Sequence, residues 1–481
     1  MSSIFQLRKA RVGVVHIGHA PYWPQFPGLK EELQGYGRIF EDMLGEQEVE
    51  LVSGGFVDSV ESAFAAAARL KGEDLDLLFC FLTTYVTSSS AATVILNAGG
   101  VPAVLVALQP LDKLDYSRTT TYMQLANDNI CALPEIGGVL RRAGRPAAGM
   151  IVGTLRGDER ATAQIAAWCR VARATAAFKR ATIGYLGHTY EGMYDMNSDP
   201  TAFTATFGSH VRMLEMDDLA QRVHAASEQE IQAKLEQIHS VFTIADPFID
   251  PVTRPVAPEH LAWAAKVAVG LDRLVADYGL TGLAYYYKGL DGNAFERIGA
   301  NMVLGNSLLT GKGVPLSGEA DLKTCAAMLI MDRLGAGGSF AELHPCDFAD
   351  NVVLVGHDGP HNIQISEGRP IIRGLELFHG KAGSGLGVEF SIKTGPVTLL
   401  SLSQNEHGRY RMVVTEGESV AGAIPQTGNT NTRCSFGRPV AEFVEQWCAA
   451  GPTHHFALGT GHVAAQIASV ANIMGIEVCH V

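Results

Sequence analysis

The sequence predicts an α/β protein in which two doubly wound, Rossmann-like parallel-sheet domains are followed by an antiparallel β-barrel-like domain. Apolar strand signals alternate with helical segments through the first two thirds of the chain. Those strand runs are almost continuously apolar, as expected for strands that are buried on both faces of a sheet. After Gly335 the helical periodicity gives way to short runs separated by Gly, Asn and Pro turns. We therefore expect domains at residues 1–174, 175–336 and 337–481.

The first domain alternates strands and helices. Predicted strands cover residues 12–17, 48–53, 75–82 and 101–108, and predicted helices cover residues 29–44, 59–70 and 158–176. This rhythm predicts parallel strands joined by helical crossovers. Ligands bind such sheets at the carboxyl ends of the strands. His19, Tyr22 and Tyr85 follow the first and third of these strands and are candidate substrate-binding residues.

The second domain repeats the pattern. Predicted strands cover residues 181–186, 210–216 and 282–287, and predicted helices cover residues 258–278 and 321–334. Pro258 stands in the first turn of the long helix, where proline is well tolerated. Tyr190 and Tyr287 lie where strands end and are further candidates for binding a substrate.

The third domain is predicted to be almost entirely β. Strand runs are predicted at residues 351–355, 370–377, 387–392, 397–401 and 410–415, with turns between them. Such short, turn-separated runs are typical of an antiparallel barrel or sandwich. We expect no helix between Gly335 and His462, then a closing helix at 463–474 and a last strand at 476–481.

Composition narrows the possible partners. The 481 residues are 47% hydrophobic and 18% charged, with a formal net charge of −13, which is typical of a globular protein. Nucleic acids and anionic membranes require a basic face, so the acidic balance disfavours both. The eight cysteines include no C-x-x-C pair, and the first residues show no signal-peptide pattern. We therefore expect a cytoplasmic protein without membrane spans.

Two glutamates and two histidines are candidate ligands of a divalent ion: Glu319, Glu342, His357 and His455. Carboxylate oxygens and imidazole nitrogens suit Mn²⁺, although other divalent ions are possible. Taken singly, each residue also has an ordinary explanation, such as a carboxylate that complements a helix dipole for Glu319 or a surface acid for Glu342. The spacing does not match a metal motif on one helix, so the residues alone leave both explanations open.

Four short motifs stand in the chain: G-E-x-D-x-K-T at 318–324, S-F-A-E at 339–342, V-G-H at 355–357 and G-P-T-H-H at 451–455. In order and intervals they resemble motifs of the L-arabinose isomerase and L-fucose isomerase superfamily. The arabinose enzymes have G-E-G-D-W-K-T where this chain has G-E-x-D-x-K-T at 318–324, and S-F-M-E where it has S-F-A-E at 339–342. Their L-G-[AS]-H is similar to V-G-H at 355–357. Their G-G-A-H-H, whose second histidine is a ligand, is similar to G-P-T-H-H at 451–455.

The resemblance implies an aldose–ketose isomerase, an intramolecular oxidoreductase of carbohydrate metabolism that acts on a small sugar through a cis-enediol. It implies a Mn²⁺ ion bound by Glu319, Glu342, His357 and His455, with the two glutamates also catalytic. We assign the proton transfer at carbon to Glu342 and that between the oxygens to Glu319. The resemblance further implies a homo-oligomer, trimer-based and usually hexameric, with sites at subunit interfaces.

Three sugar-facing segments depart from the arabinose enzymes. Where the arabinose enzymes have N-Q-T-A-H, this chain has N-D-N-I-C at 127–131. It has D-G-P-H at 358–361 in place of their M-L-E-V, and G-H-A-P-Y at 18–22 in place of their G-S-Q-H-L-Y. Asp358 thereby becomes a further candidate for sugar binding. We therefore expect the preferred substrate to be a sugar other than L-arabinose.

Two other functional classes remain open at this point. The chain could be a sugar-binding or regulatory protein of the same fold that has lost turnover. It could also be another enzyme that stabilises an enolate on a metal, such as an aldolase. Metal-dependent ketose formation separates the isomerase from the silent binder, and carbon–carbon cleavage products identify an aldolase.

Overall fold

The computed structural model describes residues 8–247, 250–290, 292–376 and 384–481. The chain forms two compact units, of which one reaches to Ala177 and the other runs from Phe178 to Val481. Within the described part, no helix combines the length and apolarity that a membrane crossing requires.

The N-terminal unit is a parallel α/β domain, as predicted. Its strands are β1 (Arg11–Ile17), β2 (Glu50–Val57), β3 (Leu77–Leu82), β4 (Ala103–Gln109) and β5 (Gly149–Thr154). Its helices are α1 (Leu29–Gly45), α2 (Val60–Lys71), α3 (Ser88–Asn97), α4 (Thr121–Leu125), α5 (Leu133–Arg142) and α6 (Glu159–Lys179). The strand order is β2-β1-β3-β4-β5, and β3 is buried along its whole length. A topological switch point therefore lies between β1 and β3.

The second strand was placed wrongly from the sequence. It was expected at residues 48–53 but runs from Glu50 to Val57. Gly54 and Gly55, which follow the predicted end of the strand, form an irregularity within the pairing of β2 with β1. Gly55 has φ +76°, a conformation that glycine adopts at little cost. A glycine pair can thus interrupt a ladder without ending the strand.

A second parallel sheet begins the other unit. Its strands and two short neighbours are β6 (Thr182–Gly187), β7 (His210–Leu214), β8 (Thr243–Ile244), β9 (Thr253–Arg254), β10 (Gly282–Tyr286) and β11 (Leu316–Ser317). The helices are α7 (Pro200–Phe207), α8 (Met216–His224), α9 (Glu228–Val241), α10 (Pro258–Tyr278), α11 (Glu296–Gly299), α12 (Val303–Thr310) and α13 (Leu322–Arg333). The order β11-β10-β6-β7 brings the carboxyl ends of β6, β10 and β11 together at one edge.

The predicted barrel is confirmed. The remaining strands are β12 (Ser339–Asp347), β13 (Val352–His357), β14 (Ile371–Glu376), β15 (Ser384–Glu389), β16 (Gly395–Gln404), β17 (Tyr410–Ser419), β18 (Thr430–Ser435), β19 (Phe456–Thr460) and β20 (Glu477–His480). The order β16-β19-β12-β13-β18-β17 closes because β16 also pairs with β17. The last strand, β20, pairs in parallel with β17 outside this ring.

The third domain differs from the prediction in several details, and β12, β18 and β19 were not among the predicted strands. A helix, α14 (Val440–Ala449), lies where none was expected, and it buries Val440, Phe443 and Trp447 on one face. Strand β15 begins at Ser384, three residues before the predicted strand, and it pairs with β14 in a small sheet that includes β8 and β9. Residue 377, the predicted end of the preceding strand, lies outside the described residues.

The central helices and the barrel share one apolar core. Leu261 of α10 and Leu304 of α12 belong to the same buried cluster as Val355, Val397 and Phe456 of the barrel strands. This packing holds the central helices against the barrel. The division of the chain near residue 336 remains a prediction, since the core is continuous across it. α15 (Ala464–Met474), predicted at 463–474, packs alongside β17 and β20.

Candidate metal centre

Glu319 lies in a short helical turn between β11 and α13. The turn, Gly318–Ala320, follows the carboxyl end of the parallel sheet, and Asp321 caps α13 by accepting a hydrogen bond from the Thr324 amide. Glu319 and Ala320 have φ +49° and +56°. Such left-handed conformations cost a non-glycine residue about 1–2 kcal/mol each. Strain of this kind persists where the surrounding structure requires it, and it concentrates at functional sites.

The other three predicted ligands come together through the barrel register. Glu342 on β12 lies opposite Gly356, the residue before His357 on β13. On its other edge, β12 pairs with β19 at Ala341 and Phe456, and Phe456 directly follows His455. The three side chains therefore emerge from neighbouring strands at the same end of the barrel.

Glu319, His357 and His455 form a compact group of possible ligands. Glu319 Oε2 lies 3.9 Å from His357 Nε2 and 3.8 Å from His455 Nε2. The two Nε2 atoms are 3.3 Å apart. Glu319 Oε2 is buried and has no hydrogen-bond partner within the described part of the chain. A buried carboxylate oxygen without a partner is costly unless a cation compensates it.

The tautomer of His455 makes this group electron-rich. Its Nδ1 lies 3.2 Å from Asp321 Oδ2, and Asp321 is fully buried. Burial opposes ionisation of Asp321, but the hydrogen bond from His455 lowers the pKa of the carboxyl. Because a carboxylate only accepts, the proton of His455 belongs on Nδ1 and the lone pair on Nε2.

A cation is the simplest way to hold these three atoms together. Asp358 Oδ1 lies 3.1 Å from His357 Nδ1 without the geometry of a hydrogen bond, and its negative charge favours a proton on that nitrogen. Two imidazole lone pairs and a carboxylate oxygen then face one another across less than 4 Å. Their mutual repulsion is relieved when a divalent ion binds among them. Oxygen and imidazole donors fit Mn²⁺ well.

Glu342 belongs to a second group, with His454 and His455. Its Oε2 lies 2.6 Å from His454 Nε2, and its Oε1 lies 3.1 Å from His344 Nε2. Burial opposes ionisation of Glu342, but these imidazole hydrogen bonds prevail and hold its pKa well below the ordinary value. The carboxylate is thus ionised and oriented.

All four predicted ligands line a cavity of about 280 Å³, here called the central cavity. Tyr190 and Asp358, two of the predicted substrate-binding residues, also line it. The other lining residues are Met193, Tyr286, His344, Asn429 and His454. Tyr287 lines an adjoining cavity and donates a hydrogen bond to Asn293 Oδ1 at 2.8 Å. No Lys or Arg is among the described residues that line this cavity.

His19, Tyr22 and Tyr85 belong to the N-terminal unit, where they form a cluster of their own. The ring of His19 lies 4.7 Å from that of Tyr22 and 5.8 Å from that of Tyr85, measured between centroids. They follow β1 and β3, so they mark the switch point of the first sheet. Their role in binding a sugar remains a prediction.

Sequence reasoning missed several residues of the cavity. His344 was not predicted, although it lies two residues from Glu342, the spacing that puts side chains on the same face of a strand. His454 was considered only as the neighbour of His455. Tyr286, and not the predicted Tyr287, lies on the central cavity. These assignments depend on strand register and twist, which a short run of tyrosines does not specify.

The fold and the site define an α/β and β-barrel protein with a candidate divalent-cation centre. A family model described as the L-arabinose isomerase central domain matches residues 183–337, and one described as the L-arabinose isomerase C-terminal domain matches residues 337–477. Together they cover more than half of the chain, which belongs to the L-arabinose isomerase superfamily.

Curated relatives agree with this placement. An L-arabinose isomerase of Yersinia enterocolitica is 25% identical over 337 residues, which cover 66% of this chain and 64% of the relative. That of Nocardioides is 24% identical over 334 residues, with the same two coverages. That of Pectobacterium atrosepticum is 26% identical over 317 residues, or 62% of this chain and 60% of the relative. The match thus spans less than two thirds of these relatives.

Proposed function

We propose that this protein is a divalent-metal-dependent isomerase that interconverts an aldose and a ketose. The observation that carries the proposal is the convergence of Glu319, Glu342, His357 and His455 on one cavity, with Glu319 Oε2 buried and unpartnered within the described residues. Relatives named L-arabinose isomerase support the reaction class. Among the described residues, no Lys or Arg lines the cavity, which supports an unphosphorylated sugar.

Glu319, His357, His455 and Glu342 are the residues that would hold Mn²⁺ or a similar ion. When bound, such an ion polarises a carbonyl group and stabilises negative charge on neighbouring oxygens. The unpartnered Glu319 oxygen and the Nε2 atoms of both histidines supply the first donors. Asp321 keeps His455 in the tautomer that ligation needs, which is the usual task of a carboxylate behind a ligating histidine.

The two carboxylates divide the proton transfers. In the proposed route, Glu342 accepts the proton from C2 of the open-chain aldose and returns it to C1. Glu319 moves the proton between O2 and O1, so that the enediol becomes the ketose. Hydrogen bonds from His344 and His454 keep Glu342 ionised and oriented, so that it is free to accept a proton, while they also lower its basicity.

A Mn²⁺-supplemented screen of pentoses, hexoses, deoxyhexoses and tetroses for ketose product tests this function. We expect one neutral aldose to be converted. Exhaustive chelation, checked by elemental analysis, should remove activity, and Mn²⁺ should restore it. Full activity without metal would overturn the metal dependence. A panel without any ketose would overturn the isomerase and leave a silent binder, whereas cleavage products would indicate an aldolase.

We further propose a cytoplasmic homo-oligomer, trimer-based and usually hexameric as the superfamily resemblance implies. All eight cysteines are unpaired, which is consistent with a reducing compartment. Light scattering at micromolar concentration measures the assembly, and a monomer would contradict it.

A further inference from the structure

The segment of residues 188–197, here called the cavity loop, connects β6 to the helices that follow. It carries Tyr190 and Met193, which form part of the wall of the central cavity. The ring of Tyr190 packs against that of Tyr286, with 5.4 Å between centroids. The loop is outside regular strands and helices except for one short turn, so its position depends on the contacts that anchor it.

Two of these anchors come from the metal centre itself. The Tyr190 amide donates a hydrogen bond of 3.1 Å to the Glu319 carbonyl oxygen. The His454 amide donates one of 2.7 Å to Asp195 Oδ2. The loop is therefore hydrogen-bonded to the backbone of Glu319, a predicted ligand, and to the backbone of His454, which precedes the predicted ligand His455.

Lys323 supplies the third anchor. Its Nζ donates hydrogen bonds to the carbonyl oxygens of Asp195 and Asn197, the latter at 3.1 Å. The residue is only 2% exposed. Burial lowers the pKa of Lys323, and the charges of Asp321 and Asp195 oppose this effect. A buried ammonium group requires such partners, so displacement of the loop would leave it uncompensated.

We propose that Lys323 is a positioning residue for the sugar, which holds the cavity loop so that Tyr190 and Met193 are placed to contact the substrate. This inference rests on the proposed isomerase function and adds a residue outside the ligand set. Lys323 is bonded to the loop and lies one helical turn beyond Glu319. Its loss should therefore weaken sugar binding more than it affects the metal or the chemical step.

The test is Lys323→Met, which keeps the length of the side chain and removes its charge and donors. Hydrogen bonds from a charged group are strong enough that we expect KM for the sugar to rise about tenfold or more. The kcat should change by less than about threefold, because no reacting group is lost. Metal affinity measured by calorimetry should be unchanged. Lys323→Arg, which keeps a cationic donor, should restore part of the KM.

Lys234→Met is the matched control. Lys234 is 7% exposed and donates to Gln237 and Asp272 at 2.9 and 2.6 Å, on a helix that does not line the cavity. Both variants lose a buried ammonium group, so both should lower the Tm. Only Lys323→Met should raise KM.

Hydrogen exchange of the amides in residues 188–197, measured without sugar, reports the loop directly. We expect about tenfold faster exchange in Lys323→Met and no change in Lys234→Met. If Lys323→Met does not fold, Asp195→Ala replaces it, because this variant at an exposed position removes the anchor to His454. It should raise both the loop exchange rate and KM.

The possible failures are distinguishable. If the wild-type protein converts no aldose, the proposed function fails. If it does convert one, but KM and loop exchange in Lys323→Met match those of Lys234→Met, the positioning role is wrong.

Discussion

Glu319 and Glu342 face the same cavity but have different surroundings. Glu319 Oε2 is buried without a hydrogen-bond partner among the described residues, whereas both oxygens of Glu342 meet an imidazole. Two carboxylates whose environments differ in this way are suited to different proton transfers. The structure is therefore consistent with separate roles.

Replacing either glutamate by glutamine should abolish turnover and preserve the fold. General acid–base transfer alone contributes about 10²–10⁴-fold, and the loss of a ligand charge adds to this. Measurements of kcat and KM, with circular dichroism for the fold, check this outcome. Glu445→Gln on the exposed face of α14 is the control. A variant that kept more than about a tenth of the wild-type rate, a barrier change below about 1.4 kcal/mol, would not fit the assignment.

His361 is a histidine of the departing segment 358–361 that does not line the cavity. It is 1% exposed, and neither ring nitrogen has a hydrogen-bond partner within the described residues. Burial is the main cause that lowers its pKa from 6.5 to about 3, and His357 adds a smaller electrostatic contribution. The imidazole of His361 therefore stays neutral in the folded protein until the pH approaches 3.

His361→Leu should flatten the acid side of the stability curve. As pH falls below 6.5, the unfolded chain binds a proton at this residue and the folded chain does not, so stability is lost until the pH nears 3. The slope is about 1.4 kcal/mol per pH unit, which gives roughly 2–3 kcal/mol between pH 6.5 and 4.5. Unfolding midpoints in urea across this range measure it. His407→Leu, at an exposed position, should leave the slope unchanged, and an unaltered slope in His361→Leu would contradict the idea.

At the scale of elements, the corner between β11 and α13 determines where Glu319 points. Ala320 is fully buried and left-handed at φ +56°. Glycine adopts this conformation freely, whereas alanine is strained in it. The arabinose enzymes that the sequence resembles have glycine at this position of the motif. The corner thus accepts strain that a single substitution could relieve.

Ala320→Gly should be tolerated within about 1 kcal/mol, because relief of strain offsets the lost methyl burial. Ala326→Gly, fully buried inside α13, should cost more, since glycine in a helix interior is unfavourable and nothing offsets it. Ala320→Val should be worse than either because a β-branched residue is a genuine outlier at positive φ. Thermal unfolding compares the three. Equal losses for the two glycine variants would show that Ala320 is not strained.

At the scale of the whole molecule, we expect sugar specificity to depend on which of the three segments that differ from the arabinose enzymes reach the cavity. Asp358 lies on it, whereas His361 of the same segment is buried elsewhere. A site that hydrogen-bonds a hydroxyl group rejects analogues that leave its polar groups unpaired. The added carboxylate should therefore change the preferred sugar and not merely weaken binding.

L-Arabinose should not be the best substrate. Comparing kcat/KM for L-arabinose, other aldopentoses, L-fucose, D-galactose and tetroses decides this. Asp358→Met, which restores the residue of the arabinose motif, should shift the ratio towards L-arabinose, while Asp350→Asn at an exposed position should not. If L-arabinose gave the highest kcat/KM of the panel with the wild-type protein, the specificity prediction would be wrong and only the isomerase class would remain.

The sequence by itself determined the alternation of strands and helices and the parallel character of the first two sheets, but it did not reveal β5 or the helices α7 to α9. Continuous apolar runs such as β3 and helical repeats such as α10 report local burial, which is encoded by neighbours along the chain. It also supplied Glu319, Glu342, His357 and His455 as candidate ligands, because their motifs resemble those of the arabinose enzymes one by one. α14 was missed because its apolar face is short and lies among turn residues.

Only the tertiary structure decided which groups meet. Closure of the barrel through β16 and β17, the two imidazoles on Glu342 and the bonds of Lys323 to the cavity loop all join residues that are distant in the chain or set by register. Periodicity predicts that a side chain is buried, but not against what. Hydrogen bonds and charges depend on distances of a few ångströms, and these are fixed only when the sheet edge and the barrel end pack into one core.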